Sequence, residues 1–152
     1  MARRKDAPRA IPKVIVLDTN VISELMRPKP DVKVTNWLNG LSRQEAWITT
    51  ISVFELRFGI EIHAKGQRRS HLEDSLVRIL EAGFHGRILN FDEMAANAAA
   101  LLSAKQRAMG RSKEVRDTFI AGIVFAHRAD FATRNVRHFQ GLDIRVIDPW
   151  AN

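Results

Sequence analysis

The chain has 152 residues, a length that accommodates one domain with a substantial core and is too short for two. It contains no cysteine, and this excludes disulfides, zinc–thiolate sites and thiol nucleophiles. There are 24 lysines and arginines against 17 aspartates and glutamates, and the net charge of +7 favours a polyanion such as nucleic acid as a partner.

The N-terminal segment, residues 1–12, is basic and polar, and we interpret it as a leader to a single domain over residues 13–150. It lacks the apolar core and the cleavage site of a secretory signal. No apolar run in the chain approaches the roughly 20 residues that span a bilayer. We therefore expect a cytoplasmic protein with no membrane contact.

The domain begins with a β-branched run, KVIVL, which is typical of a strand buried on both faces of a sheet. Asp18 ends this strand, and Pro28 and Pro30 stop the short helix that follows it. Asp31 is the predicted N-cap of the next helix. The elements predicted in this half are, in chain order, a strand at 13–17, helices at 21–26 and 32–39, and a strand at 46–50.

Helical spacing of apolar residues resumes at Ser52, and the basic segment at residues 67–70 is predicted to be a solvated connection. Asp92 and Glu93 are predicted to cap an alanine-rich helix, which Gly110 ends. The remaining predicted elements are, in chain order, a helix at 71–82, a strand at 87–90, helices at 92–109 and 115–128, and strands at 130–133 and 144–147.

Strands that alternate with helices predict an α/β domain with a mainly parallel sheet covered by helices on both faces, because parallel strands need crossover connections. In such sheets the ligand site lies outside the carboxyl ends of the strands. Asp18 follows the first strand, and Glu55 lies in the helix after the second. Asp117 opens the apolar helix before the fourth strand. These positions predict an acidic cluster at the carboxyl edge of the sheet.

Clustered carboxylates repel one another, and such a cluster usually holds a divalent cation that offsets the repulsion. Oxygen ligands without histidine or cysteine suit Mg²⁺ or Mn²⁺. One or two such ions can bind a phosphodiester, activate water and stabilise the leaving oxygen. Hydrolysis of a phosphodiester is therefore the predicted reaction.

Each acid taken alone also has a purely structural explanation. Asp18 fits an N-cap, and Glu55 fits a solvated helix position. Asp117 fits a cap or an ion pair with Arg116. Glu55, however, follows Phe54 in a segment predicted to be largely buried, where an unpaired carboxylate is costly. The shared edge of the sheet is what favours a functional site.

Four segments carry a resemblance to a known family. In chain order they are VIVLDTNVISEL, TTISVFELRFG, VRDTFIAG and FATRNVRHF. Together they resemble the PIN-domain ribonucleases, and more narrowly the VapC-type and FitB-like toxins of bacterial type II toxin–antitoxin pairs. The resemblance extends from Val14 to about Trp150.

The resemblance implies a parallel five-stranded sheet and an endoribonuclease that depends on Mg²⁺ or Mn²⁺. It assigns the metal-binding and catalytic positions to Asp18, Glu55 and Asp117. It also implies a homodimer, inhibition by a small cognate antitoxin, and assembly of the toxin with that antitoxin on operator DNA.

Several polar residues near the motifs extend this expected site. Thr19 and Thr133 match hydroxyl positions that orient the carboxylates or a water molecule. Asn135 stands where many members have a further aspartate, and it offers a neutral oxygen without charge, so the number of metal ions stays open. Three others are interpreted as solvated and stay outside the predicted site: Arg116, Arg134 and His138.

Two other functions remain open from the sequence. A basic RNA-binding module, or a degenerate nuclease without turnover, is favoured by Asn135. A phosphatase with an aspartate nucleophile also begins from an acid at the end of the first strand. That chemistry normally needs a second acid two residues later, and Asn20 stands there.

Overall fold

The structure is a computed structural model that describes residues 11–111 and 113–151. All structural statements below concern these residues. Most of the predicted leader, residues 1–10, lies outside the described residues, so its role stays a prediction.

Five short strands form one sheet in the order β3-β2-β1-β4-β5, and every pairing in it is parallel. β1 lies at the centre because its three apolar residues are all buried. The predicted α/β fold with a parallel five-stranded sheet is confirmed. The strands are β1 (Ile15–Leu17), β2 (Ala46–Thr49), β3 (Ile88–Leu89), β4 (Asp130–Ala132) and β5 (Val146–Ile147).

Helices cover both faces of this sheet, as the alternation of side chains along β1 requires. Ile15 and Leu17 pack in a core with α1 to α4, whereas Val16 packs in a second core with α5 and α6. No helix within the described ranges is long and apolar enough to cross a membrane. The helices are α1 (Thr19–Leu25), α2 (Val32–Asn39), α3 (Thr50–Glu61), α4 (Gln67–Arg78), α5 (Glu93–Ala108) and α6 (Val115–Ala126).

The prediction of a solvated connection at residues 67–70 is wrong, because these residues form the first turn of α4. Arg69 explains the difference. Its guanidinium lies 2.6 Å from Glu61 Oε2 and 2.8 Å from Glu73 Oε1, so it links the end of α3 to α4. A six-residue π-helical segment, Ile79–Phe84, then continues α4 and includes the last residues of the helix predicted at 71–82.

The α5 and α6 pair is closely packed around Gly122. A Cβ atom added at Gly122 would lie 2.5 Å from the carbonyl oxygen of Ala95 and 2.6 Å from Ala99 Cβ. The close approach packs α6, the helix that carries Asp117, directly against α5.

Candidate active site

Asp18 lies at the carboxyl end of the central strand, beside the end of β4. Its backbone N–H donates to the carbonyl of Ala132 over 2.9 Å and ties the two strand ends together. Asp18 is also the N-cap of α1, where Oδ1 accepts from the N–H of Thr19 over 2.8 Å. The capping explanation is therefore correct for Asp18, and it uses only one of the two carboxylate oxygens.

The other carboxylate oxygen of Asp18 is held by two side chains. Thr133 donates its hydroxyl to Oδ2 over 2.6 Å, and Asn20 donates from Nδ2 over 3.1 Å. Asp18 is 5% exposed, and this burial raises its pKa to about 6. The hydrogen bonds from Thr133 and Thr19 oppose the rise in pKa. At neutral pH the site therefore contains a buried carboxylate that a cation would stabilise.

Glu55 lies on α3, whose N-terminus is capped by the side chain of Thr49. Glu55 Oε1 accepts from the hydroxyl of Thr19 over 2.9 Å, and Oε2 lies 3.7 Å from Arg116 Nη1. Burial raises the pKa of Glu55, and the contacts with Thr19 and Arg116 oppose the rise. The side chain is 21% exposed, so it is not a fully solvated helix position. Phe54 beside it is exposed, so the prediction of a largely buried segment is wrong at this position, although Ser52 and Leu56 are buried.

Asp117 lies in the first turn of α6, but the cap of that helix is Glu114. The Glu114 carboxylate accepts from the N–H groups of Arg116 and Asp117, and it also pairs with the Arg116 side chain over 2.8 Å. Asp117 Oδ2 instead lies 3.2 Å from His138 Nδ1. Neither predicted role of Asp117, as a cap of α6 or as the ion-pair partner of Arg116, is therefore the one observed. The structure instead places the partly exposed His138 against this acid.

One cleft of about 490 Å³ brings predicted site residues together. Their positions in the sequence only suggested that these residues would lie close to one another. Thr133 is buried and supports the cleft from below, where it also accepts from the N–H of Asn135 over 3.0 Å. The predicted residues that line the cleft are Asp18, Thr19, Glu55, Asp117 and Asn135.

The cleft also contains residues that sequence reasoning missed. The guanidinium of Arg134 lies 5.2 Å from the centre of the Trp150 ring, and both residues line the cleft. Glu24 lines it as well, but its carboxylate accepts from the N–H of Asp31 over 2.8 Å and pairs with Arg27. No sequence signal places Trp150 here, because it reaches the cleft only through the pairing of β5 with β4.

The donor set of the cleft fits a hard divalent cation, because carboxylate oxygens of Asp18, Glu55 and Asp117 line it together. Burial and mutual repulsion raise the pKa values of Asp18 and Glu55, which is the electrostatic situation that a cation relieves. Among the described residues, however, no three acidic or histidine side chains converge closely enough to hold an ion by themselves. The arrangement therefore suits an ion bound partly through water.

The architecture is that of a single α/β domain with an acidic cleft at the carboxyl edge of its sheet. The PIN domain family matches residues 15–144, and the chain belongs to this family. The resemblance seen in the four sequence segments is thus confirmed.

Three relatives match over nearly their whole length. Plasmid stability protein StbB of Pseudomonas syringae pv. tomato is 39% identical over 137 residues, which are 90% of this chain and 99% of the relative. Toxin FitB of Neisseria gonorrhoeae is 35% identical over 137 residues, 90% of this chain and 99% of that protein. VapC ribonuclease Y4jK of Sinorhizobium fredii is 35% identical over 137 residues, 90% and 98% of the two chains.

Two solved structures share the fold closely. The crystal structure of FitAcB from Neisseria gonorrhoeae superposes with a TM-score of 0.84 at 34% identity, over 91% of this chain and 100% of that chain. The structure of FitAB bound to an IR36 DNA fragment gives a TM-score of 0.83 at 34% identity, over 90% and 96% of the two chains.

Proposed function

We propose that this protein is a divalent-metal-dependent endoribonuclease and the toxin of a toxin–antitoxin pair. The observation that carries the proposal is the acidic cleft, in which Asp18, Glu55 and Asp117 line one space at the carboxyl edge of the sheet. The name of the relative VapC ribonuclease Y4jK supports RNA as the substrate, and that of toxin FitB supports the biological role.

In this mechanism Asp18, Glu55 and Asp117 are the residues that would hold Mg²⁺ or Mn²⁺. A bound ion of this kind lowers the pKa of water and offsets the developing charge on a phosphate. The chain's own contribution is to orient the acids. Thr133 and Asn20 fix Asp18 by hydrogen bonds to Oδ2, and Thr19 fixes Glu55. The hydroxyls of these two threonines thus serve as positioning groups.

Arg116 and His138 add two further constraints on the acids. Arg116 lies between Glu114 and Glu55. It forms the closer ion pair with Glu114, and its longer contact with Glu55 restrains that side chain. His138 limits the rotation of Asp117 through the 3.2 Å contact at Nδ1. Both residues act on the orientation of a carboxylate in this mechanism.

The proposal includes partners. We propose that the chain forms a homodimer and binds a small cognate antitoxin, and that the complex assembles on operator DNA. The likeness to FitAcB and to FitAB bound to a DNA fragment supports the antitoxin and the DNA complex. The cytoplasm, where cellular RNA and operator DNA are present, is the compartment that this role requires.

Cleavage of a labelled RNA, with Mg²⁺, Mn²⁺ or EDTA, tests the enzymatic part. We expect fragments with either ion and none with EDTA, and we expect Asp18→Asn to abolish cleavage in a folded protein. Asp92→Asn is the matched control. Asp92 caps α5 outside the cleft, and asparagine caps equally well, so this variant should keep full activity.

Asn135 favours the second candidate function, an RNA-binding PIN protein without turnover, because it replaces an expected charged ligand by a neutral one. RNA binding without fragments at any concentration of Mg²⁺ or Mn²⁺ would establish that alternative. Asn135→Asp then provides a direct comparison. In an active enzyme this change should lower the Mg²⁺ concentration needed for half-maximal rate.

The antitoxin is tested by co-expression with the small protein encoded next to this chain. We expect the two to copurify and the complex to lose RNA cleavage. Recovery of two separate, fully active components would contradict this part of the proposal and leave the ribonuclease assignment intact.

A further inference from the structure

A second cleft, of about 440 Å³, lies between the C-terminal end of α5 and the first turn of α6. Among the described residues that line it there are three cations and no acid, in contrast to the acidic cleft. We refer to it as the basic cleft. The side chains that define it are Arg107, Arg111, Lys113, Ser103, Gln106 and Thr118.

Gln106 is the feature of the basic cleft that folding alone does not explain. The residue is 4% exposed, yet neither Nε2 nor Oε1 has a hydrogen-bond partner among the described residues. Buried amides in native proteins are nearly always hydrogen-bonded. The amide donor and acceptor on the wall of the basic cleft are thus without protein partners among the described residues and are available to a ligand.

Lys113 shows the same condition for a charged group. Its Nζ is buried without a hydrogen-bond partner among the described residues, 4.9 Å from the centre of the Phe139 ring. Arg111 adds repulsion between cations, while its own Nη1 is anchored on the carbonyl of Gln140 over 3.0 Å. Asp117 attracts the Lys113 ammonium from the adjoining narrow cavity, but among the described residues no acid lines the basic cleft itself.

The basic cleft adjoins the acidic cleft. Gln106 and Lys113 also line a narrow cavity to which Asp117 contributes, and Asp117 lines the acidic cleft as well. A nucleic-acid strand carries a negative charge at every nucleotide, so a strand held at the acidic cleft places further phosphates close by. Lysine and arginine side chains bind such neighbouring phosphates by displacing their counterions.

We propose that the basic cleft is a binding site for an RNA phosphate next to the scissile one. Arg107, Arg111 and Lys113 contact that phosphate, and the Gln106 amide hydrogen-bonds to the same nucleotide. This inference rests on the proposed function for its substrate, but the site itself is defined by groups that the acidic cleft does not use.

Direct binding of a single-stranded RNA oligonucleotide in EDTA tests the proposal without any cleavage. We expect the double variant Arg107→Gln/Arg111→Gln to bind about tenfold more weakly at 0.1 M salt. The slope of log K against log salt should become less negative by up to about 0.7, since the site binds one phosphate and each neutralised phosphate of a single strand contributes roughly 0.7. Inorganic phosphate alone should compete only at far higher concentration than the oligonucleotide.

The matched control is Arg68→Gln/Arg78→Gln, which removes the same charge from exposed positions on α4. We expect this control to change RNA affinity less than twofold. Equal weakening by both double variants would show that only net charge matters and would overturn the proposal. Loss of phosphate binding with unchanged RNA binding would also overturn it, since the cleft would then hold a free anion.

Gln106→Met gives a second, independent measurement. Because the amide has no hydrogen-bond partner among the described residues, we expect the denaturation midpoint to rise while RNA affinity falls severalfold. Unchanged RNA affinity would remove Gln106 from the site. Absence of RNA cleavage by the unmodified protein would refute the proposed function and not these binding results, so the two failures are distinguishable.

Discussion

Hydrogen bonds stabilise the ionised form of the Asp18 side chain, whereas burial destabilises it. In the absence of a cation the effect of burial is the larger one. Its pKa of about 6 in the folded chain exceeds the ordinary value of 3.8. The folded state therefore binds the proton more tightly than the unfolded state does. Protonation of Asp18 in the folded state therefore contributes about 3 kcal/mol to the free energy of unfolding. This contribution is fully present below about pH 3.8 and is lost as pH rises through about 6.

Asp18→Asn should therefore stabilise the metal-free protein at pH 8 by about 1–2 kcal/mol and have little effect at pH 4.5. The gain falls short of the full pKa effect, because asparagine accepts fewer of the hydrogen bonds that reach Asp18. Urea unfolding in EDTA at the two pH values measures it. The control variant Asp92→Asn changes the exposed N-cap acid of α5, and its effect on stability should not differ between the two pH values. An equal change at both pH values would contradict the role of Asp18 ionisation.

Gln106 illustrates a stability cost at another single residue. An unpaired buried amide costs about 1–3 kcal/mol, and methionine has a similar shape without polar hydrogens. We expect Gln106→Met to raise the free energy of unfolding by about 1 kcal/mol in urea titrations. Gln67→Met, at an exposed helical position, is the control and should change it by less than about 0.5 kcal/mol. Destabilisation by Gln106→Met would mean that the amide is already satisfied in the free protein.

The acids of the cleft could be predicted because each follows from a local pattern. A strand end positions Asp18, and helices that start at the same edge position Glu55 and Asp117. The contact of His138 with Asp117 and the stacking of Arg134 on Trp150 could not be predicted. Both contacts join residues that are distant in the sequence, and Trp150 lies beside Arg134 because β5 pairs with β4.

At the level of elements, two helical glycines have opposite environments. The close packing of α5 on α6 leaves no room at Gly122, where backbone atoms of Ala95 and Ala99 lie within 3 Å of an added Cβ. At Gly59 in α3, nothing lies within 4 Å of the same atom. The first glycine is required by packing and the second is not.

Gly122→Ala should therefore destabilise the fold by about 3 kcal/mol, because backbone cannot move aside as a flexible side chain does. Gly59→Ala should stabilise it by roughly 0.5–1 kcal/mol, since alanine restricts the unfolded chain and favours the helix. Thermal and urea unfolding of both variants measure these changes. Similar effects of the two substitutions would show that helix propensity, and not the α5–α6 contact, determines the result.

Most elements follow from apolar periodicity, since the five strands and six helices appear in the predicted order. The first turn of α4 was missed because residues 67–70 contain no apolar side chain, and an ion-pair network through Arg69 stabilises it instead. The short 3₁₀ turn Val136–Phe139, which carries His138 to the site, likewise has no periodic signal.

Carboxylates and cationic side chains are concentrated in two different clefts of the molecule. The chain as a whole carries a net charge of +7, while the acidic cleft concentrates carboxylates and the adjoining basic cleft concentrates cations. An overall positive potential attracts RNA, whereas the acidic cleft by itself would repel a phosphate. The divalent cation that we propose for the acidic cleft would reconcile the two effects, and by binding the folded state it would stabilise the whole fold.

Mg²⁺ should stabilise the protein at pH 8 as any ligand of the folded state does. At tenfold excess over its dissociation constant the gain is about 1.4 kcal/mol, which corresponds to roughly 3–6 °C in Tm for a domain of this size. The gain should shrink at pH 5, because the proton that Asp18 binds competes with the ion. Thermal unfolding across a Mg²⁺ titration measures this in the absence of RNA. Asp18→Asn should lose most of the shift and Asp92→Asn should retain it, whereas equal shifts in both variants would place the ion outside the acidic cleft.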